Sequence, residues 1–152
     1  MPQSRRKSGL AALGPAEVDA LVETHFPQLH ADGKLIVIDE LTSNGARVRM
    51  RGSDKIARPG GTVSGPAMFM LADVGVYIAL LGARGEAVLD AVTASMSINF
   101  LSRPQPVDLI AEVRILRIGR RTATATVELF SDGSDELVAH ATGLYALPQP
   151  VK

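Results

Sequence analysis

Hydrophobic and polar residues follow two different periods along the chain, and these divide it into helical and extended parts. Residues 15–26, PAEVDALVETHF, carry apolar side chains at helical spacing behind a proline that suits the first helical position. Residues 34–41 and 46–51 predict two short strands, and the sequence TSNG between them contains Asn-Gly, a strong hairpin turn signal. The first third of the chain therefore predicts one helix followed by a hairpin.

The segment SGPAMFMLADVGVYIALLG, residues 64–82, is nearly all apolar but contains one acid, Asp73. Pro66 suits the start of a helix, Ser64 can cap it, and the apolar residues that follow on every side predict a helix buried all round. A membrane span is the alternative, but the length is marginal and the segment includes Asp73 and two inner glycines. We therefore expect a helix enclosed by the rest of the protein.

The remaining segments are extended. Strands are predicted at 87–101, 107–115, 122–130 and 136–147, with short turn sequences between them that imply an antiparallel sheet. The second of these segments alternates cleanly, so that one face carries Val107, Leu109, Ala111, Val113 and Ile115. Because a helix that is apolar on all sides must be covered, we predict an α+β fold in which one curved antiparallel sheet wraps the helix.

Composition narrows the class of protein. Sixteen basic and sixteen acidic residues cancel, so the overall charge indicates neither nucleic acid nor an anionic membrane as a partner. The absence of cysteine excludes disulfides, thiol catalysis and cysteine metal ligands, and the histidines lack partners at ligand spacing, so we expect no metal. We expect a flexible basic leader at 1–14 without an export signal, one domain at 15–148, and a cytoplasmic location.

Four segments in succession carry a family likeness: GPAMFMLADVGVYIAL, VTASMSINFLSRP, DLIAEVRILRIGRRTATATVELF and LVAHATGLYALP. In order and spacing they resemble the hotdog-fold acyl-CoA thioesterases of the PaaI-like branch, over residues 35–147. The resemblance implies a long central helix wrapped by a curved antiparallel sheet. It also implies dimers, often paired into tetramers, whose active sites lie at the subunit interface.

The active-site signature of that family is a His-Gly-Gly turn at the start of the central helix, followed by a carboxylate. Gly65 and Asp73 have the family's separation of eight residues between the first glycine and the acid. Ser64 stands where the histidine would be, Pro66 stands in place of the second glycine, and Arg58 falls near a place where the family often has asparagine. The resemblance therefore implies Asp73 as the catalytic acid and Gly65 as the source of a backbone amide.

Hydrolysis of a thioester needs a group that attacks, or activates water to attack, and a donor for the oxyanion. Asp73 can be nucleophile or general base, and apolar surroundings would favour proton abstraction. The Gly65 amide lies at the positive end of the helix, and the Ser64 hydroxyl can replace the missing histidine in part. Eight helical residues separate Gly65 from Asp73 by about 12 Å, so the resemblance implies that the two groups act across subunits and that an isolated monomer is inactive.

Candidate substrate-binding residues form two sets. Thr93, Ser95, Ser97 and Asn99 share one face of the long predicted strand, where they either line the site or form a solvated or interface surface. The second set consists of arginines near turns, which either bind the phosphates of coenzyme A or only add solubility: Arg103, Arg117, Arg120 and Arg121. Arg58, which lies before the central helix, is a further candidate for substrate binding.

The sequence thus predicts a hotdog-fold enzyme that hydrolyses acyl- or arylacyl-CoA thioesters, with coenzyme A as part of the substrate and no other cofactor. The alternative is a non-catalytic acyl-CoA or acyl-ligand binding protein that retains Asp73 structurally, and the missing His-Gly-Gly turn supports it. A hydratase or dehydratase of the same fold is a weaker interpretation, because the histidine that it would need beside the acid or before the helix is not present.

Overall fold

A computed structural model describes residues 9–30, 33–52 and 63–150 of the chain. The elements in chain order are α1 (Pro15–His25), β1 (Ile36–Thr42), β2 (Gly45–Met50), α2 (Gly65–Arg84), β3 (Val92–Phe100), β4 (Leu109–Ile118), β5 (Thr122–Ser131) and β6 (Leu137–Ala146), with short 3-10 turns at Pro27–His30 and Gly85–Val88.

The six strands form a single curved antiparallel sheet in the order β1-β2-β4-β5-β6-β3, and α2 packs against its concave face. Alternate residues of the central strands point toward α2 and are buried: Leu109, Ala111, Val113 and Ile115 on β4, and Ala123, Ala125, Val127 and Leu129 on β5. The predicted α+β architecture is therefore confirmed. The alternation was extended too far at one end, because Val107 precedes β4 and is exposed.

Helix α2 begins where the sequence predicted. The Ser64 hydroxyl accepts a hydrogen bond from the Ala67 amide at 3.3 Å, and a proline stands in the first turn. The helix approaches β4 closely, since a Cβ atom on Gly75 would lie only 3.0 Å from a methyl group of Val113. By length and composition α2 could cross a membrane, but 67% of its most apolar stretch is buried inside the fold. Its apolar character is thus that of a core helix.

One stripe of α2 is not covered by the sheet. Pro66, Phe69 and Met70 are exposed, and Asp73 and Tyr77 are half-buried. These residues recur at helical spacing along one side, and we call them the open stripe. The prediction of a helix buried all round is therefore wrong, because a single sheet covers only one side of a helix.

The hairpin between β1 and β2 forms as predicted, but its glycine has a different role. Thr42 pairs with Gly45, so the loop consists of Ser43 and Asn44, and no described residue other than glycine has a positive φ. A Cβ atom on Gly45 would lie 2.4 Å from the carbonyl oxygen of Val113 on β4. Gly45 is therefore required by the close approach of β2 to β4, not by the turn.

Residues 9–14, which the sequence assigned to a flexible leader, contact the domain. The Gly9 carbonyl accepts a hydrogen bond from the Ser43 amide at 3.0 Å, and the Leu13 amide donates to the Gly82 carbonyl at 3.1 Å. Residues 1–8 lie outside the described part of the chain. The residues that contact the domain thus include Gly9 and Leu13.

Strand β3 lies at one edge of the sheet and begins later than expected. The strand was predicted from residue 87, but residues 85–88 form a 3-10 turn. This turn begins at Gly85, whose φ is 65°, and the strand starts at Val92. Val92 and Phe100, at the two ends of β3, are 60% and 52% exposed. Together with the open stripe of α2, this edge forms an uncovered surface beside Asp73.

Candidate active site

Asp73 lies in the middle of α2, where its carboxylate is held by two hydroxyl groups. Its Oδ1 atom accepts hydrogen bonds from Thr93 Oγ1 at 2.7 Å and from the Tyr145 hydroxyl at 2.6 Å. The Tyr145 hydroxyl also lies 2.9 Å from the backbone carbonyl oxygen of Asp73. The expectation of purely apolar surroundings is therefore wrong: the acid is half-buried and paired with polar groups from β3 and β6.

Tyr145 is almost fully buried, with 4% of its surface exposed. Burial raises the pKa of its phenol far above the ordinary value, and the hydrogen bond to Asp73 raises this pKa further. The phenol consequently stays protonated at neutral pH and well above it. Tyr145 can thus act as a hydrogen-bond donor to Asp73, but not as a base.

Tyr77, one turn after Asp73 on α2, supports the ring of Tyr145. The two rings stack with centroids 6.4 Å apart and an interplanar angle of 20°. The Tyr77 hydroxyl donates to the Leu89 carbonyl at 2.7 Å, and Phe26 packs edge-on against the Tyr77 ring. Burial, and then the charge of Asp90, raises the pKa of Tyr77. Through these contacts, Phe26 at the end of α1 and Leu89 before β3 hold Tyr77, and Tyr77 in turn supports the Tyr145 ring that contacts Asp73.

A β-bulge between Thr93 and Ser95 decides which residues of β3 point toward α2. Thr93 lies on the helix side, as its bond to Asp73 requires, and Met96 returns to that side, where it packs under Gly143. Side chains alternate along a strand, so Ser95, Ser97 and Asn99 point to the opposite, convex face. The prediction that they share a face with Thr93 is wrong, because it assumed a strand without a bulge.

The first turn of α2 lies at the other end of β3. The Gly65 amide belongs to the helix positions whose N–H groups have no intrahelical acceptor, and a Cβ atom on Gly65 would lie 3.6 Å from the Phe100 ring. The Ser64 oxygen accepts from the Ala67 amide, a contact that leaves the Ser64 proton available for donation. Within one chain Gly65 remains about 12 Å from Asp73 along the helix.

The candidate arginines do not form one cluster. Arg120 and Arg121 lie in the connection between β4 and β5, next to Arg117, at the end of the sheet that also holds Tyr145. Arg103 follows β3 at the opposite end. All four side chains are exposed, and Arg58 lies outside the described residues.

Tyr145 is the residue of this site that sequence reasoning did not single out. The signal was present in the alternation of β6, whose inward positions are Ala139, Ala141, Gly143 and Tyr145. A buried phenol after three small residues needs a hydrogen-bond partner, and Asp73 is the acid of the helix that packs against this strand.

A long helix held in the concave face of a six-stranded antiparallel sheet, with an acid on that helix beside an uncovered edge, defines a hotdog-fold protein. Residues 60–138, just over half of the chain, match the family model described as the thioesterase superfamily. The chain belongs to the thioesterase superfamily.

Individual relatives agree with this assignment. A candidate thioesterase from Silicibacter sp. TM1040 is 36% identical, with a TM-score of 0.82 over 93% of this chain and 96% of its own. A variant of the phenylacetic acid degradation protein PaaI from Thermus thermophilus is 27% identical, with a TM-score of 0.67 over 80% of this chain and 99% of its own. A candidate esterase of Saccharolobus solfataricus is 27% identical over 74% of this chain and 73% of its own.

Membership in this superfamily, together with these relatives, supports a hydrolase that cleaves thioesters. The PaaI-like resemblance inferred from the sequence is confirmed.

Proposed function

We propose that this protein is an acyl-CoA thioesterase in which Asp73 acts as nucleophile or general base. The observation that carries the proposal is the setting of Asp73. This acid is held at Oδ1 by Thr93 and Tyr145, on a half-buried position of a core helix, beside an uncovered strand edge. An acid with only a structural role has no need to face a surface from which a substrate can approach.

The proposed active form is a homodimer that pairs the β3 edges of two chains. A two-fold axis through such a pair runs the two strands antiparallel, so the Thr93 end of one strand meets the Phe100 end of the other. Thr93 contacts Asp73, whereas Phe100 lies beside Gly65. Pairing of these edges therefore brings Asp73 of one chain toward Gly65 of the partner subunit. Within one helix the two residues are about 12 Å apart, at about 1.5 Å per residue, which is too far for both to act on one carbonyl group.

In the proposed reaction the thioester carbonyl lies between these groups. Asp73 attacks the carbonyl carbon or removes a proton from the water that attacks it, and the amide of Gly65 of the partner subunit stabilises the oxyanion. The Ser64 hydroxyl can donate a second hydrogen bond in the place where the family has a histidine. The thiolate of coenzyme A leaves and takes up a proton. When water attacks directly, the acid is formed in this step; when Asp73 attacks, water then cleaves the anhydride between Asp73 and the acyl group, which releases the acid and restores the carboxylate.

Exposed arginines at both ends of the sheet give this dimer cations for the phosphates of coenzyme A. Arg117, Arg120 and Arg121 lie at the Asp73 end, and Arg103 lies at the Gly65 end. In the proposed dimer the two ends meet, so that both sets border the same site. Ser95, Ser97 and Asn99 are left out of this assignment because they point to the convex face.

The test is release of free thiol from a panel of acyl- and arylacyl-CoA thioesters. Because the chain has no cysteine, a thiol reagent reports product without background from the protein. We expect Asp73→Asn to lower kcat by about 100-fold or more while preserving the fold, since it keeps the shape of the side chain and removes its charge. The exposed acid Asp90 supplies the control Asp90→Asn, which we expect to retain activity. Full activity in Asp73→Asn would refute the proposed role.

Mixed dimers test whether the site is shared. Gly65→Pro removes the amide hydrogen at the start of α2, and Asp73→Asn removes the acid. Random mixing of two inactive variants regenerates one complete site in each heterodimer, so about a quarter of the wild-type activity should return. No recovery after verified subunit exchange would mean that both groups act within one chain.

A non-catalytic acyl-ligand binding protein is the second candidate. It is favoured by one observation: the turn before α2 is Ser64-Gly65-Pro66, and the Ser64 oxygen is already engaged in capping the helix. The same panel distinguishes the two functions. Micromolar binding of an acyl-CoA by calorimetry without thiol release would support the binding protein and contradict the enzyme.

A further inference from the structure

We propose that Tyr145 is a positioning residue for Asp73. Its hydroxyl fixes the Oδ1 atom of the Asp73 carboxylate, so that the other oxygen, Oδ2, is directed at the substrate. This inference rests on the proposed thioesterase function. It assigns to Tyr145 a role that acts through Asp73, without contact to the reacting thioester.

The geometry around Asp73 is asymmetric. Tyr145 and Thr93 both donate to Oδ1, and the hydrogen bonds among the described residues leave Oδ2 for other partners. The Tyr145 hydroxyl also lies within hydrogen-bond distance of the Asp73 backbone carbonyl, so the same phenol contacts both the side chain and the main chain of Asp73. The carboxylate is thus held at one oxygen, while the other has no hydrogen bond from the described part of the chain.

The ring of Tyr145 is itself fixed. It is buried between β6 and α2 and stacks on Tyr77, whose own hydroxyl is bound to the Leu89 carbonyl. The polar partners of this phenol, the Asp73 carboxylate and carbonyl and the Thr93 hydroxyl, all lie on the same side of it, so rotating away would leave a buried hydroxyl unsatisfied. The donor therefore keeps its direction while the substrate enters from the uncovered side.

The charges near this pair are few. Thr93 on β3 and Tyr77 on α2 contribute neutral hydroxyl groups, and Asp90, which acts on Tyr77, is exposed. The raised pKa of Tyr145 keeps its proton in place. Tyr145 is therefore the donor in the hydrogen bond to Oδ1, and losing this donor should change the direction of the carboxylate while leaving the substrate contacts in place.

Tyr145→Phe tests the inference, because it keeps the stacked ring and deletes only the hydroxyl. We expect kcat to fall by about tenfold with KM changed by less than about twofold, since the base is misdirected but the substrate contacts remain. The loss should be confined to kcat per folded molecule. A purely structural role would instead lower the fraction of folded protein and leave kcat per folded molecule unchanged.

Tyr77→Phe is the matched control. It also removes one tyrosine hydroxyl from a hydrogen bond, but from Leu89 and not from Asp73, and it keeps the stack. We expect its kcat and KM to coincide with those of the wild type. An unchanged kcat in folded Tyr145→Phe, or an equal loss of kcat in both variants, would overturn the inference.

A second measurement does not depend on activity. In the wild type we expect a slowly exchanging phenolic proton of Tyr145, shifted to low field by the carboxylate, in the proton NMR spectrum. Asp73→Asn should move this signal to higher field. If the wild type hydrolyses no thioester, the proposed function fails while this signal still tests the contact. Absence of a protected proton would overturn the positioning role even if thioesters are hydrolysed or if Tyr145→Phe does not fold.

Discussion

The two edges of the sheet are built in opposite ways. Strand β1 exposes the acids Asp39 and Glu40 and has the Gly9 segment bound beside its hairpin. Strand β3 has no charged side chain from Val92 to Leu101, and after its bulge the pairing is regular from Ser95 onward. Charges and covering segments are devices by which proteins prevent further strand pairing. One edge is thus closed to partners and the other is suited to them.

This difference separates stability from function. The β1 side is tied together by ion pairs on the convex face, where Arg49 contacts Asp39, Asp108 and Asp132. The β3 side carries the acid, its two hydroxyl partners and the exposed apolar residues. Changes on the β1 side should therefore alter the free energy of unfolding, whereas changes on the β3 side should alter assembly and activity.

The largest effect is expected from a charge on the open edge. Ser97 is exposed near the middle of β3, so Ser97→Lys would place two like charges close together across the proposed two-fold axis. We expect a folded monomer by sedimentation velocity, and a loss of activity on the order of 100-fold or more because Asp73 loses its partner amide. Glu40→Lys adds the same side chain to the β1 edge and should leave both assembly and activity unchanged. A dimeric, active Ser97→Lys protein would contradict the assignment of the edge.

A smaller effect, on stability alone, is expected from Gly45→Ala. The new methyl carbon would meet the Val113 carbonyl oxygen at 2.4 Å, so β2 must move away from β4. We expect the free energy of unfolding to fall by about 2 kcal/mol in urea titrations at fixed protein concentration. The activity per folded molecule should stay close to that of the wild type.

Gly14→Ala is the control for this change, since its Cβ atom would meet nothing nearer than 3.9 Å. It should alter stability by less than about 0.5 kcal/mol. Equal effects of the two substitutions would show that the approach of β2 to β4 is not the constraint.

The smallest effect is expected from Asp108→Asn. The Gly52 amide, and then Arg49, hold the pKa of Asp108 below its ordinary value of 3.8. A lowered pKa contributes stability that is present above the unfolded value and is lost as the pH falls through the folded value. Because Asp108 is partly exposed, we expect a loss of less than about 1 kcal/mol near neutral pH, which disappears in strong acid. A difference from the wild type that persists in strong acid would contradict this origin, and the exposed Asp135→Asn is the control.

Much of the fold could be predicted because its patterns are local. The alternation in 122–130 identifies β5, and Ser64 and Pro66 mark the start of α2. The open stripe could not be read in the same way, since Phe69 and Met70 are as apolar as their buried neighbours. Which apolar residues of α2 stay uncovered depends on how many sheets or helices pack around it, and here a single sheet covers one side.

The candidate site was predictable in part for a similar reason. Asp73 stands out in an apolar helix, and its eight-residue separation from Gly65 is visible in the sequence. Its contacts with Thr93 and Tyr145 join residues that are 20 and 72 positions away along the chain. Such contacts depend on strand register, which in β3 is changed by a bulge between Thr93 and Ser95. The residue at the bulge is an alanine, so no glycine or other turn residue marks it in the sequence.

The bulge in β3 also determines which changes in length this strand can absorb. One residue, Ala94, separates a polar position beside Asp73 from the run in which Met96, Ile98 and Phe100 face the helix. Deleting Ala94 would leave Thr93 next to Ser95 in plain alternation, so both faces of the strand would be kept. Deleting one residue beyond the bulge, such as Ser97, would instead exchange the faces of the residues after it, exposing Ile98 and Phe100 and turning Asn99 inward. Ala94 is therefore the position of β3 at which a residue can be lost without changing what faces Asp73 and the helix.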